Sequence, residues 1–240
     1  VTPLGDKGNR VIYKKALIVG AGSGLSASLA RLLSKSGMQV ALAARDADKL
    51  AALAKETGAK VFSCDASQSE HVDRLFKDLE TDFGAPDTVI YNASFRTRGA
   101  IVDLKPADVQ KAIAVTAFGA FLVGQAAAKK MLPNKHGAIF FTGASASVKG
   151  YAQSAPFAMA KFALRGLSQS MARELGPQGI HVAHFVIDGG IRSERRIEPA
   201  DAPDSFLDPD AIAQTYLAIL QQPRNAWSLE MEVRPWVEKF

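Results

Sequence analysis

The sequence predicts an α/β protein, a single domain built on a doubly wound parallel sheet of about seven strands. Three observations lead there. Apolar runs of strand length recur along the chain with helical segments between them, an alternation that calls for parallel pairing through right-handed crossovers. Residues 16–45 read as strand, glycine-rich turn, helix and second strand. The length of 240 residues, 48% of them apolar and both charge signs mixed, suits one sizeable core, and no repeat or long linker divides it.

Taken in order, residues 16–19 form the first strand and Gly20, Gly22 and Gly24 the turn after it. A helix opens near Leu25 and closes at Gly37, where the second strand, 39–43, begins. Asp46, followed by Ala47 and Asp48, reads as the N-cap of the next helix. Strands follow at 60–64 and 88–92, separated by a helix over 69–83 with Ser67 and Glu70 as a capping box. Pro106 starts a long helix to about Met131, and a strand occupies 138–142. Pro156 starts another helix, to Glu174, and a strand follows over 181–187. Asp208, followed by Pro209, caps a last helix to about Gln222, and residues 229–233 complete the sheet.

The first βαβ unit carries the clearest chemistry. Glycines after a strand permit tight turning and let a pyrophosphate approach the backbone, while the helix opening at Leu25 offers unpaired N–H groups and a positive dipole end. Gly20, Gly22, Ser23, Gly24 and Leu25 are therefore candidate cofactor contacts. The run fits both a pattern beginning at Gly20 and one running from Gly22 to Ala27. The second strand ends in Ala44 and Arg45, a cation where a dinucleotide enzyme selective for NAD usually places a carboxylate for the adenosine ribose. NADP(H) is favoured over NAD(H).

The formal charge of +5 suits a phosphorylated cofactor or an acidic substrate, but Lys and Arg are scattered with no aromatic-interleaved basic stripe, which argues against nucleic acid. The single cysteine, Cys64, leaves no internal disulfide and fits a reducing, cytoplasmic setting; it reads as a buried, inert thiol. No stretch approaches the uninterrupted apolar length that spans a bilayer. Residues 1–15 lack a signal-peptide core and read as an N-terminal tail before a domain over 16–240. His181 and His184, three apart in one strand, face opposite ways, so no metal site is expected.

Ligands of such a sheet meet the carboxyl ends of its strands. There stand Arg45, Cys64 with Asp65, Tyr91-Asn92-Ala93, Thr142-Gly143-Ala144 and Asp188-Gly189-Gly190, followed by the spacing Phe157-x-x-x-Lys161. In this order the motifs resemble the short-chain dehydrogenase/reductase family, across essentially all of residues 16–233. The resemblance implies a Rossmann-type domain in which Asp65 contacts adenine and Asn92 supports the central strand and cofactor edge. It also implies that Ile191 and Ser193 hold the nicotinamide and phosphate side, and that Arg45 reads the 2′-phosphate. Ser26 stands where the family turn has its third glycine and crowds helix against strand slightly.

The catalytic half departs from that pattern. Family members act on carbonyl/alcohol pairs with Asn, Ser, Tyr and Lys; at the matching positions this chain has Thr116, Ala144, Phe157 and Lys161. Hydride delivery to a ketone builds alkoxide character that needs a proton donor and aimed hydrogen bonds, and Phe157 has no transferable proton. Lys161 keeps a role in ribose hydrogen bonding. Ser145, next to Ala144, and Tyr151, ten residues before Lys161, are the replacement candidates, Tyr151 because related enoyl reductases use displaced tyrosines. Reduction of a conjugated alkene, where the carbon is protonated later, relaxes the need for an acid. Arg96, Arg98, Arg192, Arg195 and Arg196 follow strand ends and read either as an anion-recognising set or as solvated basic loops. The segment from Ser193 to Asp208 is short for a substrate lid, so an open pocket is expected.

The expected function is NADP(H)-dependent oxidoreduction of a small carbonyl or conjugated alkene through an atypical site. The alternative is a non-catalytic NADP(H)-binding sensor or interaction protein. Apolar surface on the helices from Pro106 and Pro156 exceeds what one sheet face needs, and family relatives pair through these helices, so a homodimer or homotetramer is expected.

Overall fold

The computed structural model describes residues 13–194 and 196–238. Its strands are β1 (Lys15–Val19), β2 (Gln39–Ala44), β3 (Lys60–Ser63), β4 (Thr88–Tyr91), β5 (Gly137–Thr142), β6 (Ile180–Ile187) and β7 (Glu230–Val233). They form one sheet in the order β3-β2-β1-β4-β5-β6-β7, with every neighbouring pair parallel. The chain winds outward from β1 to β3, then returns to β4 on the other side of β1. The crevice between the carboxyl ends of β1 and β4 is the switch point where such sheets bind ligands.

Strands of this composition suit the middle of the sheet because both of their faces are covered, so their sequences are apolar throughout. Every residue of β4, β5 and β6 is buried. Alternation divides the side chains between two cores. Ala16, Ile18, Phe140 and Phe185 join Leu29 and Tyr216, whereas Leu17, Val19, Tyr91 and Phe141 join Val123 and Leu164. The first core is covered by α1 (Leu25–Lys35), α2 (Ala51–Thr57) and α7 (Pro209–Leu220). The second is covered by α3 (Ser69–Asp82), α5 (Gly119–Met131) and α6 (Ala155–Leu175), with α4 (Pro106–Ile113) leading into α5.

Several expectations are corrected. Of the expected tail, residues 1–12 lie outside the described residues. The rest belongs to the fold: Tyr13 is buried and stacks on His136 at 5.0 Å, and the N–H groups of Lys14 and Lys15 donate to the Asp87 carboxylate at 2.8 and 3.0 Å. The Ser67/Glu70 capping box does not form. Gln68 occupies the N-cap of α3 without a side-chain cap, because Ser67 is engaged by Asp65. Asp46 pairs with Lys49 at 2.6 Å; that ammonium, with the N–H groups of Lys49 and Asp48, holds its carboxyl below the usual range, so it caps the turn locally. Asp208 does cap α7, accepting from the Asp210 N–H at 2.8 Å.

The long helix from Pro106 is not continuous α-helix. A π-turn at Ala114–Phe118 separates α4 from α5. Widening frees backbone carbonyls, and the Tyr91 hydroxyl donates to that of Val115. Contrary to the sequence reading, the stretch Pro106–Asn134 is long and apolar enough, at a mean hydropathy of 1.4, to cross a bilayer by length and composition alone. In the fold its apolar stripe, including Ala120, Val123 and Ala127, is buried against the sheet.

Candidate active site

The glycine turn is shaped first by Gly20. Its φ of +82° lies in the left-handed region, and a Cβ there would run into the backbone of Ala93. The N–H groups of Gly20 and Ala21 both donate to the Ala43 carbonyl, at 2.9 and 3.0 Å, and draw the turn against β2. A Cβ on Gly22 or Gly24 would meet nothing, so those glycines leave open approach to the backbone. The tight-turn glycine is thus Gly20, which decides between the two patterns. Gly24 is the N-cap of α1 and supplies no side-chain acceptor to the first N–H groups.

Ser26, in place of the family's third glycine, bonds rather than crowds. Its hydroxyl donates to the Gly20 carbonyl at 3.2 Å and accepts from the Asn92 side-chain amide at 2.7 Å. The turn, α1 and the end of β4 are joined through this one buried oxygen.

The turn opens on a cleft of about 590 Å³ whose far wall includes Arg45, Leu50 and Asp65. Arg45 is solvent-facing, and its guanidinium has no hydrogen-bond or ion-pair partner among the described residues. Partial burial works to raise the Asp65 pKa, but hydrogen bonds from the Ser67 hydroxyl (2.7 Å) and N–H (3.0 Å), with Arg45 and His71 nearby, hold it low. Cys64 is also on this lining, and burial pushes its thiol up to about 11, the protonated, unreactive form.

Asn92 and Ser94 line this cleft and also a second one, of about 620 Å³, that runs over the ends of β5 and β6. The two are one continuous surface. The second is lined by Lys161, Phe157, Ala144, Ser145, Tyr151 and Ile191 among others, so the structure brings these candidates together. Lys161 is 3% exposed, its ammonium donates to the Thr142 carbonyl at 2.6 Å, and burial depresses its pKa to about 7. The half-buried Phe157 ring lies beneath two cations, Lys161 Nζ at 5.7 Å and Arg96 Cζ at 5.1 Å from its centroid.

Around these, Ser147 rather than Ser145 is engaged, its hydroxyl accepting from the Ala144 N–H at 3.1 Å; the Ser145 hydroxyl has no partner among the described residues. Thr116 is fully buried in the π-turn and accepts from the Phe95 N–H at 3.2 Å, which makes it a brace for the loop after β4. Tyr151 is 47% exposed, with Lys149 Nζ 5.9 Å from its ring centroid. Ser193 stands outside both linings, its backbone paired with Arg196 at 3.1 and 2.9 Å.

The structure also supplies what the sequence reading missed. Arg165, one helical turn beyond Lys161, grips Glu230 of β7 through two bonds of 2.8 and 2.7 Å, and Glu230 also takes His184 Nδ1 at 2.9 Å. Burial pushes His184 down to about 4, so it is neutral. This anchor fixes the rotation of α6 and hence the aim of Lys161. Of the arginines, Arg96, Arg98 and Arg196 line the second cleft. Arg192 instead pairs with Asp208 at 2.6 Å, and Arg195 lies outside the described residues. Only the parallel topology, which gathers the loops after β4 and β6 at one edge, could have signalled that convergence. His181 and His184 do face opposite sides, the former against Phe140 and Trp227, the latter against Glu230.

A family model described as short chain dehydrogenase matches residues 14–199. An uncharacterized oxidoreductase of Staphylococcus aureus (strain N315) is 30% identical over 228 residues, covering 92% of this chain and 97% of its own length. A solved structure of a short-chain dehydrogenase from Rhodopseudomonas palustris is 33% identical with a TM-score of 0.80, over 93% of this chain and 99% of that one. A metagenomic short-chain oxidoreductase in complex with NADP is 27% identical with a TM-score of 0.81, over 94% and 98%.

Proposed function

The chain belongs to the short-chain dehydrogenase family, and on that premise we propose that it is an NADP(H)-dependent oxidoreductase reducing a small carbonyl or conjugated alkene without the usual tyrosine. The observation that carries this reading is the unbroken cleft from the glycine turn and Arg45 to Lys161 and Phe157. The residues present fit the nucleotide. Open glycines and uncapped N–H groups suit a pyrophosphate, and Arg45, without a partner among the described residues, suits a 2′-phosphate. The NADP held by the metagenomic relative points the same way.

Bound NADPH supplies a hydride. The turn of Gly20, Gly22, Ser23, Gly24 and Leu25 would hold the pyrophosphate, Asp65 the adenine, and Arg45 the phosphorylated ribose. Asn92 and Ile191 border the nicotinamide side. Lys161, its ammonium held by the Thr142 carbonyl, would donate to the second ribose. Ser193 carries no role here, since it stands off the cleft lining. Phe157 excludes water beside the reacting group but donates nothing. Tyr151 or water therefore provides the proton, and Ser145 hydrogen-bonds the developing oxyanion. An enone, whose carbon is protonated after hydride arrival, is the substrate least affected by the loss of the phenol.

NADPH consumption with a panel of ketones and enones tests this. Oxidation above the substrate-free blank is expected, enones faster than ketones. Nucleotide binding with no turnover on any of them gives the non-catalytic sensor reading instead, which the Phe157 and Ala144 positions favour. Self-association through the exposed Phe118, Phe121, Met159 and Phe162 belongs to the same proposal. Sedimentation is expected to give a dimer or tetramer.

A further inference from the structure

Three guanidiniums share the substrate end of the cleft. Arg96 and Arg98 come from the loop after β4, and Arg196 from the segment after β6; all three line the wall that also holds Phe157, Lys161 and Ser145. None of them has an ion-pair partner among the described residues. Arg192, a few residues away on the same segment, shows what a structural arginine here does: it is neutralised by Asp208 at 2.6 Å and Glu198 at 3.7 Å. The one carboxylate on this lining, among the described residues, is Glu238, whose charge acts on Arg234.

Arg96 is close enough to both of the others to feel them. Burial, then repulsion from Arg98 and Arg196, weakens the hold of Arg96 on its proton. Like charges gathered without a counter-charge cost free energy until an anion joins them. The position of Arg96 explains how such a site can be built here. Its guanidinium lies over the Phe157 ring, with Cζ 5.1 Å from the centroid, so the ring's π face supports the cation. A cation held by a ring face uses none of its N–H donors on that contact, and they stay available for a planar oxyanion. Arg196 is supported in the same way, 5.9 Å from the Phe206 ring. Where the family places a phenol, this chain has an aromatic platform carrying a cation.

We propose that Arg96, Arg98 and Arg196 bind an oxyanion, carboxylate or phosphate, carried by the substrate, and so place its carbonyl or enone beside Lys161. This rests on the nucleotide-and-substrate reading of the cleft given above. The substrate is then an anionic oxo or enone compound, held by its charge at a site where catalytic hydrogen bonds are few.

The test is calorimetry on protein saturated with NADP+, titrated with levulinate, with methyl levulinate and with inorganic phosphate. Levulinate is expected to bind at least about tenfold tighter than its uncharged ester, as charge-assisted bonds to arginine require. Displacement of levulinate by phosphate identifies the site as one for phosphate esters; no displacement identifies it as a carboxylate site. The double variant Arg96→Gln with Arg196→Gln is expected to keep its heat with NADP+ while losing the preference for acid over ester. Equal affinity for acid and ester, a preference the variant retains, or heat from neither levulinate nor phosphate overturns the inference and leaves the nucleotide reading standing. If NADP+ itself gives no heat, that reading fails, and the acid-against-ester contrast is read on protein without nucleotide.

Discussion

At the β2 end of the cleft the surface is made chiefly of backbone: Gly20 in a left-handed conformation, open space over Gly22 and Gly24, and the uncapped start of α1. At the β5 end it is made of side chains, with Lys161, Phe157 and three arginines over Thr142 and Ala144. A surface of N–H groups depends on where the chain can turn, so a neighbouring residue can change while the turn is kept; the Ser26 hydroxyl bonds Gly20 and Asn92 without closing it. A surface of side chains changes its chemistry with each replacement. One fold can therefore keep its nucleotide end while the other end becomes something new.

The strongest way to break this contrast is to restore the altered end. Phe157→Tyr with Ala144→Ser is expected to raise ketone reduction about a hundredfold to a thousandfold, the scale of one oxyanion donor or a positioned acid, measured as kcat/KM with NADPH. No gain would mean that the arginines have remodelled the end beyond such repair. Arg45→Glu, at the other end, is expected to weaken NADPH binding about a hundredfold and leave NADH binding nearly unchanged, by fluorescence titration, since a charge-assisted pair is replaced by repulsion.

Lys161 links the two ends and gives a pH signature. Its ammonium titrates near 10.5 when unfolded and about 7 when buried. Between those values the unfolded chain holds a proton that the folded chain has released, so stability rises with pH across that window and is lowest below it. Lys161→Met is expected to flatten the rise and to gain about 2 kcal/mol at pH 6, read from urea unfolding at several pH values. The smallest effect belongs to Ser26→Ala, which removes the oxygen joining Gly20 and Asn92. A loss of about 1 kcal/mol in stability and a few-fold weaker NADPH binding is expected from thermal melting and titration.

The same contrast explains what was legible. Strands buried on both faces are apolar runs, and a glycine cluster between strand and helix has few other uses, so the parallel sheet and the turn are legible in residues 16–45 and the runs that follow, while the order of the strands is not. Arg45 and Lys161 were readable because they sit at fixed distances from those elements. Ser67 leaves the cap because Asp65, two residues before it, competes for its hydroxyl, and local pattern does not rank the two. The π-turn escaped because an additional residue in a helix leaves the apolar spacing nearly intact on each side. The meeting of Arg96, Arg98 and Arg196 depends on loops a hundred residues apart, which pattern alone cannot join.

The π-turn at Ala114–Phe118 has a consequence for how this protein can diversify. Each residue inserted in or deleted from a helix rotates everything beyond it by about 100°. Here the widened coil takes up that rotation, so the register of α4 toward α6 and of α5 toward the sheet are set separately. Deleting one residue there would swing Ala120 and Val123 out of the core, whereas exchanging residues within α4 leaves them seated. The turn works as a slip joint: α4 can be re-seated against α6 while the layer beneath, α5 on the sheet, keeps its alignment.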